Sequence, residues 1–71
     1  MKFYYYPETD SLYIELSQAA GADVIEISPG VVVDYDRDGK PVGIDIDNAS
    51  KLVDLTRLEA EALPLKALAV A

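Results

Sequence analysis

Seventy-one residues with no cysteine and no histidine allow one domain and exclude both a disulfide framework and an ordinary structural zinc site. A domain this small buries only about 60% of the surface its unfolded chain exposes, so tight packing or association with another chain has to supply stability. The formal net charge is −7 and the six basic residues are scattered, which excludes the basic patch that nucleic acid or an anionic membrane surface requires; a cation or a basic protein suits that charge better.

The opening residues, Met1 to Glu8, lack the apolar core of a signal peptide, and no apolar run approaches the roughly 20 residues that span a bilayer. The expected location is therefore the cytoplasm, without membrane attachment. Residues 2–6 are nearly all aromatic, which favours a strand. Pro7-Glu8-Thr9-Asp10 is a turn cluster, and Leu12 to Leu16 alternates with the period of a half-buried strand. These two strands form a hairpin. With Tyr6 opposite Ser11, the side chains of Phe3, Tyr5, Leu12, Ile14 and Leu16 share one face, and Tyr4, Tyr6, Tyr13 and Glu15 share the other. Gln18 to Asp23 is a loop, Val24 to Ile27 a short strand, and Ser28-Pro29-Gly30 a turn.

Val31 to Asp36 and Val42 to Asp47 are alternating runs joined by Arg37-Asp38-Gly39-Lys40, and Asp-Gly between such runs is a strong hairpin signal. The pattern predicts Arg37 opposite Lys40, Tyr35 opposite Val42, Val33 opposite Ile44 and Val31 opposite Ile46. All six apolar side chains then lie on one face, and Asp34, Asp36, Asp45 and Asp47 on the other. After Asp47, the capping side chains of Asn48 and Ser50 predict a helix running through Leu55 and Leu58 to Leu63, just before Pro64. Alternation over 58–62 is compatible with a short edge strand instead. The domain is expected over 1–63, with an apolar tail over 64–71.

Asp34-Tyr35-Asp36-Arg37-Asp38-Gly39 matches the first half of a calcium-binding EF-hand loop, and Asp45 stands at its twelfth position. Asp34, Asp36, Asp38 and Asp45 are thus the candidate metal ligands. Against this, the flanks are strand-like, Pro41 occupies the eighth position, and Asp is shorter than the bidentate Glu such loops use. A hairpin turn with solvated aspartates accounts for the same residues. The strand aspartates as a carboxylate hydrolase would need burial that splits their pKa values, and alternating exposed positions offer none. Without His or Cys, nucleophilic catalysis has little material, so no catalytic residue and no cofactor is assigned. Tyr4, Tyr6 and Tyr13 are candidate interface residues, since tyrosine is enriched at protein interfaces and the small core favours a homodimer or higher homo-oligomer.

Tyr5 to Leu16, with D-S-L-Y-I-E-L, and Val31 to Ser50, with D-Y-D-R-D-G-K-P-V-G-I-D-I-D-N-A-S, together resemble the YuzE-like family of small bacterial proteins of unknown function. The resemblance covers roughly residues 4–55; Asp45 and Asp47 stand where relatives often carry Glu or an aliphatic residue. It implies an α+β fold, strands in a meander with a helix on one face, and no established reaction. Relatives encoded beside small toxins imply an antitoxin-like role. The expected fold is an α+β antiparallel β-meander of about five strands with one C-terminal helix packed on its apolar face. The expected core is Phe3, Tyr5, Leu12, Ile14, Val31, Val33, Tyr35, Val42, Ile44, Ile46, Leu52 and Leu55. The expected function is a non-catalytic interaction or self-associating module, with a divalent-cation binder as the alternative and a carboxylate hydrolase behind it.

Overall fold

The computed structural model describes residues 1–70, so the last residue of the expected tail, Ala71, lies outside the described residues. Strands β1 (Lys2–Tyr6), β2 (Ser11–Glu15), β3 (Asp23–Ser28), β4 (Val31–Tyr35) and β5 (Pro41–Ile46) are followed by a single-turn helix, α1 (Ala49–Leu52). The strands form one antiparallel sheet in the order β1-β2-β5-β4-β3. Consecutive strands pair except β2 and β3, which the loop after Glu15 separates. The fold is the expected α+β antiparallel sheet.

The first hairpin has the predicted register: Tyr6 opposes Ser11, Tyr5 opposes Leu12 and Phe3 opposes Ile14. The β3–β4 turn is Pro29-Gly30, and Gly30 takes φ 81, a conformation L side chains rarely adopt. A type II turn of this kind twists against the strands it joins. The register irregularity between Glu26 and Ser28 accompanies it.

The β4–β5 hairpin differs from expectation at its tip. Val33 opposes Ile44 and Val31 opposes Ile46 as predicted, but Tyr35 opposes Pro41 instead of Val42. Asp36, not Arg37, faces Lys40: the Asp36 N–H donates to the Lys40 carbonyl at 2.8 Å, and the Gly39 N–H donates to the Asp36 carbonyl at 3.0 Å. The loop therefore has three residues, with Gly39 at φ 79. The cause is the Asp36 carboxylate, whose Oδ1 accepts from the backbone N–H groups of Asp38 and Lys40, each at 2.9 Å. The offset is absorbed by the irregularity between Asp34 and Tyr35, so the facing of the strand interiors is preserved.

The helix is the main correction. It stops at Leu52 instead of Leu63; Val53 is extended at φ −133 and ψ 159. Asp54 Oδ1 accepts from the Thr56 N–H at 2.9 Å, a local bond that competes with helix continuation. The Arg57–Glu59 ion pair joins residues two apart, a spacing that does not meet on a helix face. No strand forms over 58–62 either. From Ser50 to Val70 every residue is exposed.

The core is correspondingly small. Val33, Val42, Ile46 and Ala49 are the buried apolar residues. Leu12, Ile14, Val31, Tyr35 and Ile44 are half-buried. Phe3, Tyr5, Leu52 and Leu55, all expected inside, are exposed, because the helix meant to cover them is one turn long.

Candidate interaction site

Register carries the side chains of Phe3, Tyr5, Leu12, Ile14, Ile44, Ile46, Val31, Val33 and Ile25 to one face of the sheet. Asp23, opposite Tyr35 at the start of the edge strand β3, is the one charged residue that the strand register places on this face. Such a face normally packs against a second layer. Among the described residues, it is the irregular segment after α1 that borders this face. Between that segment and the sheet lies a groove of about 340 Å³, lined by Phe3, Leu12, Ile14, Ile46, Val53, Leu55 and Leu58, with Asp54 and Arg57 at its polar edge. A second, wider hollow of about 850 Å³ separates Met1, Lys2 and Phe3 from Leu58, Leu63, Leu65, Leu68 and Val70. Leu58 and Leu68 are 74% and 76% exposed, so these leucines contribute almost nothing to the single-chain core.

The opposite face is polar and aromatic. Tyr13 lies across Gly43, where an added Cβ would fall 2.1 Å from its Oη and 2.7 Å from its Cζ. A side chain at position 43 would occupy the space the ring fills. The Tyr13 hydroxyl points to Asp34 Oδ2 at a long 3.4 Å, and its ring meets Tyr4 with centroids 6.2 Å apart at 43°. The Lys2 ammonium sits 4.8 Å from the Tyr4 ring centroid. Partial burial and the neighbouring Asp34 carboxylate push the Tyr13 hydroxyl above its ordinary range. Partial burial, with Asp47 and Asp34 nearby, also raises Asp45. Of the three candidate interface tyrosines, Tyr4 and Tyr13 are thus engaged within the chain, while Tyr6 is 49% exposed.

The candidate metal ligands do not converge. Asp34 and Asp45 stand on this polar face, Asp36 is committed to the β4–β5 turn, and Asp38 is exposed within that turn. Among the described residues, no three acidic, His or Cys side chains are gathered as metal ligands would be.

A junction that the sequence pattern did not reveal centres on Asp10, whose φ is 52. Its carbonyl accepts from the Ala49 N–H at 2.9 Å. Its carboxylate accepts from the Ser50 hydroxyl at 2.6 Å, the Ser50 N–H at 3.1 Å and the Tyr5 hydroxyl at 2.8 Å. Hydrogen bonds from Ser50 and Tyr5 hold the Asp10 carboxyl below its usual range, while the same bond raises the Tyr5 hydroxyl. Asn48 makes no side-chain cap, so Asp10, from another part of the chain, caps α1. Asp10 had been visible only as a turn residue and Ser50 only as a local cap. Their separation of forty residues left no periodic signal. The junction fixes where the chain leaves the sheet and enters the leucine-bearing segment.

A family model described as protein of unknown function (DUF2283) matches residues 2–50. The chain belongs to that family. The match spans all five strands and the start of α1, including Asp10 and Ser50, and ends before the leucine-bearing segment. No curated protein and no solved structure matches the chain. Among the described residues, no helix is long and apolar enough to cross a membrane.

Proposed function

We propose that this member of the family is a non-catalytic protein-interaction module whose working surface is the apolar sheet face together with residues 53–70. The observation that carries the reading is the exposure of that surface. The chain exposes 5855 Å². A folded monomer of 7.7 kDa is expected to expose about 4,300 Å² from the scaling of surface with mass. Phe3, Tyr5 and Ile25 on the sheet face and Leu55, Leu58, Leu63, Leu65 and Leu68 on the segment are among the exposed apolar side chains, and exposed apolar surface gathered in this way marks interaction sites. The proposal includes a cytoplasmic setting and places the chain with the YuzE-like proteins on D-S-L-Y-I-E-L and the Val31–Ser50 segment. An antitoxin-like role is one form such a module takes, with the acidic outer face left for a basic protein.

Affinity capture with the tagged full chain tests the reading. The expected result is a bound protein, whether another copy of the chain or a different polypeptide, that is lost in Leu58→Asp. A chain that carries nothing in either form would refute it.

A further inference from the structure

We propose that the occupant of the apolar face is a second copy of this chain, in a two-fold dimer that brings the two faces and the two leucine-bearing segments together. This rests on the interaction reading above and adds the identity of the partner. Charge placement favours it. Residues 1–3 and 53–70, which border the groove and the hollow, carry Lys2, Arg57 and Lys66 against Asp54, Glu59 and Glu61, a balance of zero. The whole net charge of −7 therefore falls on residues 4–52, and register puts Glu15, Glu26, Asp34 and Asp45 on the sheet face pointing away. Two acidic chains approaching on the outer face would meet mostly like charge; on this side the bordering charges balance, and the sheet itself adds only Asp23, at the β3 edge. A strongly basic partner would instead be drawn to the outer face.

Area points the same way. The surface of 5855 Å² exceeds the monomer expectation by about 1,500 Å², and a standard interface needs about 800 Å² from each partner. The surplus is enough for a stable isologous contact, in which the same patch serves both chains. The hollow between Met1–Phe3 and the leucines of residues 58–70 is the space into which the second copy's segment fits.

Sedimentation equilibrium of the full chain at micromolar concentration tests the proposal, with Leu58→Asp and Tyr6→Ser as variants. The expected masses are twice 7.7 kDa for the unaltered chain and for Tyr6→Ser, and 7.7 kDa for Leu58→Asp. Leu58 is 74% exposed in the single chain, so its replacement leaves the fold, checked by circular dichroism, in place. A Leu58→Asp chain that remains dimeric would overturn the proposed face. An unaltered chain of single mass would overturn the dimer. If that monomer still captures a different protein in a Leu58-dependent way, the interaction reading stands and only the second copy falls; if it captures nothing, both fall.

Discussion

Gly43→Ala isolates the contact that shapes the outer face. Glycine in a strand interior is normally a weakness, and alanine there should gain roughly 0.5–1 kcal/mol where the backbone permits it. Gly43 does not have the positive φ seen at Gly30 and Gly39, so the backbone does permit it. The obstacle is Tyr13, whose Oη and Cζ lie 2.1 and 2.7 Å from the new Cβ. The ring must swing off the strand and loosen its contact with Tyr4. Overpacking of this kind costs about 1–3 kcal/mol, so a net loss of about 1–2 kcal/mol is expected. For a domain of this size that lowers Tm by roughly 4–16 °C. In a Tyr13→Ala background the obstacle is gone, and Gly43→Ala should change sign and stabilise. Urea or thermal unfolding of the four chains gives the coupling, expected at about 2 kcal/mol. A Gly43→Ala effect of the same sign and size in both backgrounds would refute the packing described.

Asp10→Asn should flatten the acid limb of stability. A carboxyl held below its ordinary value contributes stability that is present at neutral pH and lost as pH falls below about 4 through the folded value. Asp45, raised by burial, works oppositely, gaining as pH falls, so the readout is the difference in urea midpoint between the two chains, expected to narrow on acidification; a constant difference would contradict the junction. Ala49→Leu should destabilise by about 1–3 kcal/mol, because Ala49 has no exposed surface and its surroundings leave no room; an unchanged midpoint would show that site to be loose. Calorimetric titration with millimolar Ca²⁺ should give no saturable heat, since Asp36 is spent on the turn and the acidic side chains are dispersed; one-to-one binding that is lost in Asp36→Ala would contradict this.

The sheet was legible in the sequence because period-two alternation and turn residues are local signals. Val33 opposite Ile44 followed from the alternation, the Pro29-Gly30 turn from the chemistry of its two residues, and the register with Tyr6 opposite Ser11 on which the first hairpin was read is the one observed. The hairpin tip was misplaced by one residue because an Asp side chain bonding its own loop competes with the Asp-Gly turn, and both use the same letters. The helix was overextended because Ala, Glu and Leu have helical propensity over 53–63, whereas the two Thr56–Asp54 hydrogen bonds and an unsupported face favour a non-helical backbone there. The candidate surface was half legible: the apolar residues of the two hairpins could be assigned to one face, but its openness depends on the helix that ends early. The Asp10 junction was illegible, since a cap supplied from forty residues away has no period.

The dependence of the melting temperature on protein concentration tests most directly whether this small core relies on a second chain. If association covers the apolar face in the folded state and not in the unfolded one, Tm rises steadily as concentration is raised a hundredfold. A Tm that stays constant over that range would mean that one chain, with Val33, Val42, Ile46 and Ala49 as the buried apolar residues among those described and an open sheet face, is stable alone.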